Sequence, residues 1–143
     1  MAITSAVCTS FKVEILKGVR DFTASSGNTF NLALYTSSAS LGAATTAYTT
    51  SNEVSGSGYT AKGNALTSVT PVADSTTAVC DFADTSFTSA SFTARGCMIF
   101  NDSASGDPAV CIIDFGSDKT VTSGTFTIQF PAAAASTAIV RIA

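Results

Sequence analysis

The sequence predicts an all-β protein: an antiparallel β-sandwich, jelly-roll-like, with one short N-terminal helix. Three observations predict it. Val, Ile, Phe and Thr, which suit a pleated and half-buried surface, recur throughout, and more than a quarter of the 143 residues are Ser or Thr. Short apolar runs, several of them alternating, follow one another at close intervals. Gly, Pro, Asn and Asp stand between these runs, as turns require.

The length suits a single domain over residues 1–143, with no linker and no long tandem repeat. Hydrophobic residues make up 45% of the chain, which excludes a disordered polymer. Residues 9–22 carry the one helical period. Phe11, Ile15, Val19 and Phe22 align on one face, and Thr9 or Ser10 supplies a cap. Gly18 weakens this helix by about 1 kcal/mol relative to alanine, so packing against the sheet must hold it.

From Thr29 the period becomes two. Phe30, Leu32 and Leu34 alternate with Asn31, Ala33 and Tyr35, the pattern of a strand with one buried face. Further strands are predicted at Ala65–Val72, Thr77–Phe82, Phe87–Phe100, Ala109–Phe115, Thr125–Phe130 and Ala138–Ile142. Arg95-Gly96 marks an interruption of the third. Gly116-Ser117-Asp118-Lys119 marks a turn before the fifth. Ala109–Ile113 is apolar at every position and is expected to be a central strand covered on both sides. Phe126, Ile128 and Phe130 are expected to cover the core. Ala132–Ala135 forms a short connection.

The segment from Ser37 to Gly63 is longer than a simple connection. It is rich in Ser, Thr, Ala and Gly, and Glu53 and Lys62 are its only charges. Ser51–Val54 is expected to form a single helical turn, bracketed by Tyr48 and Tyr59, which pin it to the body. Tyr48, Asn52, Glu53, Val54 and Tyr59 are therefore the candidate assembly contacts.

Residue types for chemistry are scarce. There is no histidine, which removes the commonest acid/base catalyst and metal ligand, and no tryptophan to stack on a sugar. Asp81, Asp84 and Asp114 are the carboxylates to consider for hydrolysis, but Asp84, like Asp102, Asp107 and Asp118, stands in a turn context. Asn101–Asp107 resembles the front of a calcium loop, yet its twelfth position is Ile112 where a glutamate is needed, and a hairpin turn is expected. No serine has a suitably spaced lysine, and Gly56-Ser57-Gly58 lacks the lysine of a phosphate loop. No catalytic, cofactor-binding or metal residue is predicted, and no cofactor.

Cys8, Cys80, Cys97 and Cys111 form no paired motif and are expected to be buried free thiols. The seven basic residues are scattered, so no nucleic-acid footprint is formed. No apolar run approaches a membrane span, and Met1–Val7 does not read as a signal peptide. The expected compartment is a reducing cytoplasm. With 12% charged residues the surface has little charge to keep copies apart, which points to a subunit covered by neighbours.

Phe30–Thr36, Thr45–Thr60, Ser91–Gly96 and Asp114–Val121 carry a family likeness. Together with the N-terminal helix and the C-terminal Ile-Val-Arg-Ile, they resemble small virion structural proteins of tailed bacteriophages. The resemblance covers most of the chain. It implies a non-enzymatic component of a phage particle, assembled in the bacterial host cytoplasm and localised to the virion. Implied partners are the major capsid protein or other virion proteins, and further copies of itself as a homo-oligomer. Neither nucleic acid nor membrane is implied. A β-sandwich without long helices suits a capsid cement or decoration protein better than a neck adaptor or a tail fibre base. A glycan-binding module is the remaining alternative.

Overall fold

Two strands dominate the architecture, and they are the arms of one hairpin. The computed structural model describes residues 2–143. In chain order its elements are β1 (Ala6–Val7), α1 (Thr9–Leu16), β2 (Phe30–Tyr35), β3 (Asn64–Ala65), β4 (Ser68–Asp74), β5 (Thr77–Phe82), β6 (Thr85–Asn101), β7 (Ala109–Ile128) and β8 (Val140–Ile142). A five-stranded sheet runs β1-β7-β6-β2-β3 and a three-stranded sheet runs β4-β5-β8. Every strand pairing is antiparallel. The fold is thus the expected all-β sandwich with one short helix.

The helix is shorter than expected, ending at Leu16 where the period runs to Phe22. Gly18 ends it by adopting φ +68°, a left-handed conformation that costs glycine little. The Gly18 N–H then donates to the Ile15 carbonyl and the Val19 N–H to the Glu14 carbonyl, which satisfies the last turn. Val19 consequently leaves the apolar stripe and is exposed. Phe22 still reaches the core, but from an extended segment, where its ring stacks on Phe30 at 4.3 Å. Neither Thr9 nor Ser10 caps the start; Cys8 occupies that position without a side-chain bond.

β2 departs from the one-faced expectation because all six of its residues are buried. β6 and β3 flank it, the segment that follows it extends its edge at Val54, and the Lys62 and Thr49 carbonyls of that segment meet the Asn31 and Tyr35 side chains. The run predicted as Ala65–Val72 is divided between sheets. Leu66 N–H bonds to the Phe30 carbonyl in one sheet, while the Thr67 carbonyl receives Ala83 N–H beside the other. Pro71 falls where β4 slips register against β5, the place a strand tolerates a residue without an N–H.

β7 joins the predicted strands Ala109–Phe115 and Thr125–Phe130 into one twenty-residue strand. The expected turn at Gly116–Lys119 is a bulge. Ala94 pairs with Lys119 and Gly96 with Asp114, so four residues of β7 stand opposite Arg95 alone. The Arg95 guanidinium reaches across this bulge to Asp114 at 3.1 Å and Asp118 at 3.6 Å. Two further slips, at Ser89 on β6 and Ser123 on β7, place each serine at positive φ. Phe126, Ile128 and Phe130 are half-buried beside the core.

One hydrophobic core links the layers. At one end Phe82 of β5 lies between Phe30 at 5.9 Å and Phe130 at 5.6 Å. At the other, Phe87, Phe92, Phe126 and Tyr59 form a second aromatic group. Cys8, Cys80, Cys97 and Cys111 are all free and buried. Burial pushes the Cys8 thiol up to about 11 and those of Cys80 and Cys97 up to about 12, with Cys111 raised as well.

Candidate assembly surface

The segment from Thr36 to Gly63 has little regular structure, yet its backbone is bonded to four neighbours. Leu41 N–H donates to the Ala2 carbonyl and Thr4 N–H returns to Leu41. Tyr48 N–H donates to Asp107 and Ala109 N–H to Thr46, which fastens the segment to the turn between β6 and β7. Val54 N–H donates to Leu34 on β2, and Ser91 N–H on β6 donates to Ser57. A long connection held in this way is a structural layer, which explains how its length is tolerated.

Glu53 is the centre of that layer. Its Oε2 accepts from the Tyr48 hydroxyl at 2.6 Å, and its Oε1 accepts from the Tyr59 hydroxyl at 2.7 Å and from Lys62 N–H at 2.8 Å. Tyr59 Oη in turn accepts from Leu34 N–H at 2.9 Å, which carries the link to β2. Burial, followed by the bond to Glu53, pushes the Tyr48 phenol up to about 12 and raises that of Tyr59 further. The rings themselves pack inward, Tyr48 on Phe100 at 4.8 Å and Tyr59 on Phe87 at 5.5 Å.

The five candidate contacts therefore divide. Tyr48 and Tyr59 both bond to Glu53, Val54 is buried, and Asn52 alone is exposed. The helical turn expected at Ser51–Val54 is a tight turn instead, with Asn52 at φ +59° and its side-chain amide donating to the Ser38 carbonyl. A surface contact through this segment would be made by its exposed Ser, Thr, Ala, Gly and Asn residues, because the tyrosines are committed to its own support.

The carboxylates noted in the sequence are also engaged. Lys62 Nζ lies 2.8 Å from both Asp102 Oδ1 and Asp107 Oδ2, so the loop that resembled a calcium site holds an ammonium. These two contacts raise the Lys62 pKa, and the same ammonium sits 5.7 Å from the Tyr48 ring centroid. Asp81 bonds to Phe82 N–H, and Asp84 to Phe130 N–H. Asp114 accepts from Gly116 N–H and pairs with Arg95, and the first of these bonds does most to lower its pKa. Sequence reasoning missed Lys62 and Arg95 as the two cations that each bind a pair of carboxylates.

Among the described residues, no helix is long and apolar enough to cross a membrane. No protein-family model, curated protein or solved structure matches the chain.

Proposed function

We propose that this chain is a non-enzymatic structural component of a tailed-phage particle, acting as a capsid cement or decoration protein that stabilises the head shell. The observation that carries the reading is the chemistry of its exposed surface. Every exposed residue between Ser37 and Ala61 is Ser, Thr, Ala, Gly or Asn, and Thr85–Ala94 and Thr120–Pro131 contain no charge. Isolated proteins rely on surface charge to stay apart, so a neutral surface of hydroxyls and methyls suits a subunit covered by neighbours. The phage-like segment Thr45–Thr60 belongs to that surface.

A neck or tail position is the second reading, and the same neutral surface supports it. A glycan-binding module has less support, because Tyr48 and Tyr59 turn inward and no aromatic is among the exposed large hydrophobic residues. Electron density of a whole particle at side-chain detail tests the proposal. Many copies following the lattice of the head support cement, and a ring of copies at the neck or tail supports the second reading. Particles that contain no copy overturn both.

A further inference from the structure

We infer that the outer edge of β7, from Lys119 to Ile128, pairs with the same edge of a second copy of this chain, antiparallel and about a two-fold axis. β1 covers β7 at Cys111 and Ile112, and over Lys119–Ile128 the backbone of β7 bonds to β6 alone. The other side of the strand thus presents unpaired N–H and C=O groups, a template for another strand. Proteins blunt such edges with charge or proline. Between Thr120 and Gln129 there is neither, and apart from Ser123, Gly124 and Gln129 the residues are Thr, Val, Phe and Ile, which favour pairing.

The order of side chains selects a second copy over an unrelated strand, because the run is its own antiparallel complement. With the axis through Gly124 and Ser123 counted as the extra residue of its bulge, Thr120 faces Thr127 of the second copy, Val121 faces Phe126, Thr122 faces Thr125 and Gly124 faces Gly124. The faces agree as well. Val121, Gly124 and Phe126 stand opposite Phe92, Ala90 and Phe87, so the apolar residues of both copies fall on one side. The hydroxyls fall on the other, where Thr93 bonds Thr120 at 2.8 Å and Ser86 bonds Thr127 at 2.9 Å. Pairing makes these two bonds the halves of one ladder across the interface. The bulge at Ser123, which would otherwise turn the edge away, lies beside the two facing Gly124 residues, which have no side chains to obstruct the approach. No like charges oppose one another in this register.

Sedimentation of the purified full chain over a dilution series tests the inference. The wild type is expected to show a concentration-dependent dimer. Thr122 and Thr125 are exposed and face each other across the axis, so Thr122→Lys/Thr125→Lys creates two like-charge pairs per dimer, and Thr122→Glu/Thr125→Glu does the same. Each variant alone should dimerise roughly ten-fold more weakly, and an equimolar mixture should recover the dimer. Circular dichroism confirms that both are folded. Independently of those variants, oxidising a mixture of Thr122→Cys and Thr125→Cys chains should cross-link one to the other. A wild type that stays monomeric, charged variants that dimerise like the wild type, or a mixture that fails to cross-link overturns the inference. The pairing goes beyond the virion proposal and does not depend on it: particles lacking this chain would overturn that proposal alone, and a monomeric wild type this one alone.

Discussion

Phe115 and Phe126 lie on the same strand, eleven residues apart, and their ring centroids are 6.3 Å from each other. A straight strand rising about 3.3 Å per residue would hold them about 36 Å apart. The bulge opposite Arg95 and the slips at Ser89 and Ser123 account for the difference by bending the hairpin back over itself. One hairpin therefore contributes to two walls of the same core. Phe126, which also meets Phe92 at 5.2 Å, holds the bend closed. Phe126→Ala should cost about 3 kcal/mol, the lower end for a phenylalanine truncation because the ring is half-buried. Thr125→Ala, on the exposed face, should cost less than about 0.5 kcal/mol. Urea unfolding of both variants checks the contrast.

Removing the acid that organises the long segment should be costly although it sits outside the regular strands. Glu53→Ala orphans three donors, and a bond to a charged group contributes about 1.5–3 kcal/mol, so a loss of that order is expected. Tyr59→Phe should cost more than Tyr48→Phe, because it also strands the Leu34 N–H of β2. Equal losses for the two tyrosines would show that the link to β2 contributes nothing. By the same reasoning, exchanging Ala44–Gly58 for a short Gly-Ser linker should destabilise the whole domain as well as any contact made there, since it removes Glu53 and the buried Val54.

Two glycines at similar backbone angles should respond very differently to alanine. A Cβ on Gly63, at φ +63°, would lie 1.9 Å from the Leu32 carbonyl oxygen, a backbone atom that cannot step aside. A Cβ on Gly18, at φ +68°, would meet nothing within 4 Å. Gly18→Ala should cost about 1 kcal/mol, the strain of the left-handed conformation alone. Gly63→Ala should cost at least about 3 kcal/mol, seen as a collapse of the thermal midpoint.

Stability should be flat near neutrality and fall in alkali. With no histidine, no side chain has an ordinary pKa near neutral pH. The cysteines titrate ordinarily at 9.0, and burial lifts three of them to about 11–12 in the folded chain. A thiol with a raised folded pKa supports the fold fully while both states keep it protonated, below about pH 9. That support is lost as pH rises through the folded values. Tyr48, raised from 10.0 to about 12, acts in the same direction. The thermal midpoint should therefore hold steady from about pH 6 to 8 and drop steadily above about pH 9. A midpoint unchanged at the folded pKa values would contradict the burial of the thiols.

Much of this fold was legible because its strongest signals are local. Thr77–Phe82 matches its predicted bounds to the residue, and Ala109–Ile113 is the covered strand that its unbroken apolar run requires. The errors arise where a local signal has two structural meanings. Gly116-Ser117-Asp118-Lys119 carries the same chemistry whether it reverses a chain or bulges within a strand, and only the partner strand decides. Gly18 reads as a weak helical residue or as a helix end, and the backbone chose the end. Asn31 and Tyr35 alternate with apolar residues as solvent-facing positions would, but the Lys62 and Thr49 carbonyls arrive from the long segment and accept their side-chain bonds. Glu53 had two flanking tyrosines in its favour as an internal hub, yet nothing in a linear spacing of five or six residues says that three side chains converge.

The four buried thiols also give the protein a built-in clock for its own opening. A thiol reagent acts on exposed thiolate, so at neutral pH each cysteine reacts no faster than the structure around it opens. Cys97 and Cys111 lie on neighbouring strands of the larger sheet, while Cys80 lies in the middle strand of the smaller one. Equal labelling rates at these positions would mean that the two layers separate in a single event. Faster labelling of Cys80 would mean that the smaller sheet lifts away while the long hairpin remains closed, so unmodified protein already contains the probes that distinguish one cooperative unit from two.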